Sequence, residues 1–202
     1  METFKVPVGI SNRHIHLSQE HIEALFGAGY TLTKMKDLSQ PGQYACEETV
    51  TLIGPKGKIP GVRVLGPARK SSQVELSSTD TFKVGVRPPV RDSGNLGQTP
   101  GIEVQGPKGI VSLDQGVIIA ARHLHMTPED GKKYCLKDGD YVSAIVPGPR
   151  GGVLEMILVR VNADYALDLH VDTDEGNAFG LFNGQSLEVY SNNHLIYLQS
   201  AR

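Results

Sequence analysis

Tryptophan is absent from this sequence and cysteine is scarce, with only Cys46 and Cys135 among 202 residues. The two thiols form no C-x-x-C pair and no secretory h-region precedes them in Met1 to Val6, so no disulfide framework is expected and a reducing cytoplasm is the expected compartment. Charge of one sign is lacking too: 20 Lys and Arg against 22 Asp and Glu leave a net charge of -2. Such a chain has no field that gathers nucleic acid, and any anionic ligand must be met by local cations. No apolar run approaches the roughly 20 residues that span a bilayer, so a soluble protein without a membrane partner is expected.

Glycine and proline, 23 and 12 residues, are plentiful. Apolar residues fall in short runs rich in valine and isoleucine, the composition of small β-barrels punctuated by tight turns. At this length a folded chain buries roughly 70% of its unfolded surface, so a core forms without staples. Three turns share one form: Gly54-Pro55-Lys56-Gly57, Gly106-Pro107-Lys108-Gly109 and Gly148-Pro149-Arg150-Gly151. Each reads as a hairpin in which proline fixes the first torsion and glycine supplies a positive φ.

The chain also repeats itself. Arg13-His14-Ile15-His16-Leu17-Ser18-Gln19-Glu20 returns as Arg122-His123-Leu124-His125-Met126-Thr127-Pro128-Glu129. Ser18 and Thr127 read as N-caps of short helices over about Gln19 to Phe26 and Pro128 to Tyr134, with Pro128 suited to the first helical position. Further on, Val74-Glu75-Leu76-Ser77 with Thr79-Asp80 stands where Leu169-His170-Val171-Asp172 with Thr173-Asp174 stands in the second copy, and both segments read as strands. The expected fold is mainly β: two pseudo-symmetric β-barrel domains over 1-94 and 95-202, each with a short capping helix and the active site between them. The boundary is set at the polar cluster Asp92 to Gln98.

Alternation along a strand aims His14 with His16, and His123 with His125, at one side each, which makes two metal pincers. Neutral imidazole is the common zinc ligand. Four histidines can close one structural site, or anchor two open ones if Glu75 and His170, at matching places in the two copies, complete them. Open positions imply chemistry rather than scaffolding. His21 reads as helix surface and His194 as turn surface, and both stay outside this set.

The segments Ser11 to Ser18, Gly66 to Glu75, Arg91 to Gly94, Ala121 to Met126 and Leu169 to Asn177 closely resemble the PduL-type phosphate acyltransferases over nearly the whole chain. The resemblance implies a phosphate propanoyltransferase, moving an acyl group, propanoyl or acetyl, between coenzyme A and inorganic phosphate. It implies two zinc ions held by His14, His16, Glu75, His123, His125 and His170. It also implies Arg69 and Ser93 beside phosphate, and coenzyme A contacts at Lys36, Arg63, Leu65 and Asn177. Homo-oligomers, a cytoplasmic or bacterial-microcompartment location and shell or cargo partners follow from the same resemblance; with only Met1 to Val6 before the first strand, either the N-terminal packaging helix of microcompartment members has been removed or a cytosolic member is expected.

The chemistry of the residues agrees. Phosphate is heavily solvated and a poor nucleophile until it is stripped and oriented, which the expected zinc-bound phosphate achieves before direct attack on the thioester. Arg69 offers a planar fork of donors. Lys36, Arg63 and Lys70 are candidate partners for the phosphates of coenzyme A. Cys46 and Cys135 are expected to be buried apolar residues rather than acyl carriers. Two rival readings remain: a dinuclear metallohydrolase acting on thioesters, and a non-catalytic zinc-stabilised microcompartment assembly protein.

Overall fold

The computed structural model describes residues 3–191, and His194 lies outside them. In chain order these residues form β1 (Thr3–Ser11), β2 (His14–Ser18), α1 (Gln19–Phe26), β3 (Lys34–Asp37), β4 (Tyr44–Ile53), β5 (Lys58–Arg69), β6 (Gln73–Glu75) and α2 (Ser78–Val84). There follow β7 (Val90–Arg91), β8 (Ile102–Gln105), β9 (Ile110–Leu113), β10 (Val117–Ala120), β11 (His123–Met126) and α3 (Pro128–Lys133). The described chain ends with β12 (Tyr141–Val146), β13 (Gly152–Val161), β14 (Asp168–Asp172), α4 (Thr173–Phe179) and β15 (Ser186–Ser191). None of these helices is long and apolar enough to cross a membrane.

Two compact units result, one of Met1–Ser11 with Ala121–Arg202 and one of Asn12–Ala120. The first is a closed barrel in the order β1-β14-β11-β13-β12-β15, around a core that includes Leu124, Leu154, Ile157, Leu169 and Leu187. The second is a sheet in the order β7-β10-β6-β2-β5-β4-β8-β9, with β3 on β4, over a core that includes Ile15, Leu17, Leu25, Leu52 and Val64. The division expected near residue 94 falls inside the second unit. Residues 95–120 stay there because β8 pairs with β4 and β10 pairs with β6.

The repeat is visible strand by strand. β2 runs parallel to β5 and antiparallel to β6, as β11 runs parallel to β13 and antiparallel to β14. The strand before each His-x-His pair is built into the other unit: β1 pairs in parallel with β14, and β10 in parallel with β6. Sequence shows a repeat but not this exchange, because apolar alternation says which face is buried and not which neighbour it pairs with.

Only one of the two expected barrels closes. In β1 the pairing passes from β15 to β14 between the adjacent residues Pro7 and Val8. In the other unit the equivalent passage, from β8 to β6, is interrupted by Asp114-Gln115-Gly116, so the closing strand is split into β9 and β10. The N–H of Val8 donates to the Gln185 carbonyl at 2.9 Å and that of Val117 to the Pro100 carbonyl at 3.0 Å, so the two passages keep one matching bond despite the break.

The N-caps stand as expected: Ser18 accepts from the His21 N–H, and Thr127 forms a capping box with Asp130. Each copy carries a second helix that the sequence reading gave to strands. α2 and α4 are capped by Ser77 and Asp172, whose side chains accept from the N–H groups of Asp80 and Glu175. All three Gly-Pro turns are hairpins, but of their glycines only Gly148 has a positive φ, at 110°. The others serve close approach. A Cβ on Gly54 would strike the Val84 carbonyl that ends α2, and one on Gly106 would lie 2.6 Å from the Leu25 carbonyl in the last turn of α1. Those two carbonyls accept from the N–H groups of Lys56 and Lys108, each at 3.0 Å, so each hairpin satisfies a helix end that would otherwise be orphaned.

Candidate active site

In β2 and β11 the aliphatic residues enter the cores while the histidines occupy the opposite face, all of them buried. The ladder then chooses the third member of each group. His14 stands opposite Glu75, and His123 opposite His170. The candidate ligand atoms of His14, His16 and Glu75 lie within 4.8 Å of one another, as do those of His123, His125 and His170.

The finer geometry suits a tetrahedral ion. His14 Nδ1 lies 2.8 Å from the Asn12 carbonyl and His123 Nδ1 2.7 Å from the Ala121 carbonyl. A carbonyl only accepts, so both Nδ1 atoms carry the proton and each Nε2 keeps the lone pair that a metal takes. His14 Nε2 lies 3.5 Å from Glu75 Oε2, and His123 Nε2 lies 3.0 Å from His125 Nε2. Zinc bonds of about 2.0–2.1 Å at the tetrahedral angle require ligand atoms roughly 3.3 Å apart. The Nδ1 of His16 is buried with no well-formed hydrogen bond.

Electrostatics separates the two histidines of β2. Burial opposes a charge on His14, but the Glu75 carboxylate and the Asn12 carbonyl outweigh it and hold its pKa above 6.5. Burial, helped by His14 and Arg69, holds His16 well below that value, in the neutral form a metal needs.

Around Glu75 the expected anion residues converge. Arg69 donates to Ser93 Oγ at 3.3 Å, and Ser93 donates to Glu75 Oε1 at 3.3 Å. The sequence reading missed the residue at the centre of this group, Gln73. Its amide nitrogen donates to Glu75 Oε1 at 2.5 Å and to Ser93 Oγ at 2.8 Å, and its oxygen accepts from the Gly94 N–H at 2.8 Å. In the other unit Asp168 occupies the matching ladder position, opposite His125, with Oδ2 2.9 Å from His170 Nε2. Strand alternation places both residues two before the third ligand and on its face, which was the signal available.

The arginine before each histidine pair has a structural partner. Arg13 bonds Asp80 and Arg122 bonds Glu175, each at 2.7 Å, tying the histidine strand to the first turn of the helix after the third ligand. Of the residues expected to meet coenzyme A, Arg63 stands opposite His14 and Leu65 opposite His16, while Lys36 stands opposite Ala45, itself the partner of Leu65. These three form one band across the sheet. The Arg63 guanidinium is anchored to the carbonyls of Cys46 and Glu47. Asn177 belongs to α4 of the other unit. His21, set aside as surface, is half-buried with Nδ1 2.7 Å from Ser72 Oγ. Cys46 is buried as expected, whereas Cys135 is exposed in the turn after α3.

Comparison with known proteins identifies the family. The family model for phosphate propanoyltransferase matches residues 7–182. A Thermotoga maritima protein named phosphate propanoyltransferase is 59% identical over 183 residues, covering 90% of this chain and 87% of its own. Proteins of the same name from Rhodobacter capsulatus and Clostridioides difficile are 52% and 48% identical, each covering 91% of this chain and 86% and 88% of their own. A match of this extent, on a chain whose two histidine groups and Arg69–Ser93–Glu75 cluster assemble as described, establishes that the chain belongs to the phosphate propanoyltransferase family, a family of acyltransferases.

Proposed function

We propose that this protein exchanges a propanoyl or acetyl group between coenzyme A and inorganic phosphate by direct attack of phosphate on the thioester. The observation that carries the reading is the hydrogen-bonded group of Arg69, Ser93, Gln73 and Glu75, in which donors for an anion adjoin the carboxylate of a His14–His16–Glu75 metal group. A zinc ion in each histidine group would supply positive charge to desolvate phosphate and polarise the thioester carbonyl. Within the protein, Arg69 grips phosphate oxygens through its planar fork. Ser93 and Gln73 fix the position of that fork and of Glu75 against each other, so the nucleophile is oriented before the thioester arrives. Lys36 and Arg63 offer cations to the phosphates of coenzyme A.

In the forward direction a phosphate oxygen forms a bond to the acyl carbon, the carbon–sulfur bond breaks, and the hydrogen-phosphate proton ends on the released thiol. The products are acyl phosphate and coenzyme A, and no oxidant or second cosubstrate is needed. The thiolate is a good leaving group, so no strong general acid is needed. An acyl-cysteine intermediate on Cys46 is disfavoured, since burial, reinforced by Glu48, pushes its thiol up to about 11 and leaves little thiolate near neutral pH.

The test is thiol release from propanoyl-CoA by the zinc-loaded protein, with and without phosphate. Release that requires phosphate, and that falls about 10²–10³-fold in Arg69→Ala as expected for loss of a preorganised donor, supports the reading. Release indifferent to phosphate identifies a thioester hydrolase instead. Absence of release from zinc-loaded protein favours a structural role.

A further inference from the structure

The split between β9 and β10 has no counterpart in the closed barrel, where the equivalent strand is continuous. Beside it lies a cavity of about 720 Å³, within the range of roughly 300–1,000 Å³ usual for small-ligand sites. Leu113, Asp114 and Gln115 at the break form part of its wall, and the loop residues Gly94, Leu96 and Gly97 another part. A third part is the turn from β5 to β6, which brings Arg69, Lys70, Ser71, Ser72 and Gln73 to the cavity in succession. The cavity thus adjoins the Arg69–Ser93–Gln73–Glu75 group directly, through Arg69 and Gln73. None of Lys36, Arg63 and Leu65, the band assigned to coenzyme A, lines it, whereas Lys70, which the sequence also offered to coenzyme A, lines it beside Arg69 and so falls on the phosphate side.

We propose that this cavity is the port by which inorganic phosphate reaches Arg69 and acyl phosphate leaves, separate from the side that receives coenzyme A. The inference rests on the acyl-transfer reading. Arg69 and Lys70 attract a phosphoryl group, and the hydroxyls of Ser18 and Ser71 with the His21–Ser72 pair replace its water. Glu20 and Asp114 also face the cavity and balance those two cations. That balance suits passage rather than storage, because an anion held too tightly would not leave. Separate ports let acyl phosphate depart without waiting for coenzyme A.

The experiment measures KM for phosphate and for propanoyl-CoA in Gly97→Trp and Lys70→Ala by thiol release, with KM for propanoyl phosphate from the reverse reaction. Gly97 lines the cavity and has open space where a Cβ would stand, so a side chain can start there without striking packed atoms. The native chain has no tryptophan, so the introduced indole is also the sole tryptophan fluorophore and reports both folding and inorganic phosphate in the cavity. The expected result is a rise of about tenfold in KM for phosphate and propanoyl phosphate in Gly97→Trp and about three- to fivefold in Lys70→Ala, with KM for propanoyl-CoA changed by less than about twofold. A rise confined to KM for propanoyl-CoA overturns the port and gives the cavity to coenzyme A. Unchanged constants in Lys70→Ala, whether or not Gly97→Trp folds, overturn it as well. Failure of the acyl-transfer reading looks different, because the unaltered protein would then show no phosphate-dependent release.

Discussion

The two histidine groups are built on equivalent strands in the same register, yet the carboxylate beside each stands in a different place. In the open unit the carboxylate is Glu75, at the ligand position, and the neutral Gln73 supports it from two residues earlier. In the closed barrel the matching position holds His170, and the carboxylate is Asp168, at the supporting position. A divalent ion in either group would meet one negative charge, but in direct contact in one case and through an imidazole in the other. The second arrangement would leave the ion a stronger Lewis acid, and the first adjoins the Arg69 and Ser93 proposed to meet phosphate. The repeated scaffold is shared, and the position of the carboxylate in the ladder is what makes the two groups unlike.

The comparison is sharpened most by the paired arginine bridges. Asp80 and Glu175 occupy equivalent positions, but the Asp80 side chain is 1% exposed and that of Glu175 21%. Asp80→Ala removes a buried carboxylate while Arg13 stays about one-third exposed, and is expected to cost about 2–3 kcal/mol in denaturant unfolding. Glu175→Ala is expected to cost about 1–2 kcal/mol. Equal costs would show that burial is not what distinguishes the bridges.

Next in size are the supporting residues. Asp168→Asn is expected to weaken metal binding in its own group about 10–100-fold by chelator competition, since the carboxylate holds the His170 ring in its orientation. Gln73→Ala, which removes a neutral support, is expected to stay at the lower end of that range. A larger loss from Gln73→Ala would reverse the assignment of charged and neutral supports.

The smallest effect is a difference in acid response. Burial and the nearby charges raise the pKa values of Asp172 and Glu175 above 3.8 and 4.5, so the folded barrel binds these protons more readily than the unfolded chain and gains stability as pH falls through the raised values. Glu48, in the other unit, is buried, yet hydrogen bonds from Thr33 and Tyr30 hold it below 4.5. Its contribution is complete above 4.5 and is lost as pH falls through the lower folded value. Hydrogen exchange between pH 5 and pH 3 is therefore expected to weaken protection around β3 and β4 before the β14–α4 segment. The opposite order would contradict these directions.

Much of the site was legible because strand alternation and repetition are local properties. His14, His16, His123 and His125 announce themselves by spacing, and Ser18 and Thr127 by the cap they form. Glu75 and His170 could be matched between the copies, but that they face His14 and His123 is a matter of strand pairing, which one strand's sequence does not state. The roles of Gln73, Asp168 and His21 depend on such partners and were missed for that reason. Helices α2 and α4 were within reach. Ser77 with Asp80 and Asp172 with Glu175 have the spacing of a helix start, but the alternating residues just before them extended the strand reading too far. The unequal closure of the units hangs on three residues, Asp114 to Gly116, whose effect is visible only once β9 and β10 have partners.

The most direct test of two unlike metal groups is the zinc content of the reconstituted protein, measured by elemental analysis alongside protein concentration. The account predicts two ions per chain in the unaltered protein, one in His14→Ala/His16→Ala and one in His123→Ala/His125→Ala, with the remaining ion harder to strip by chelator in one variant than in the other. A single ion in the unaltered protein, or loss of both ions when only one histidine pair is replaced in a protein that still folds, would contradict it.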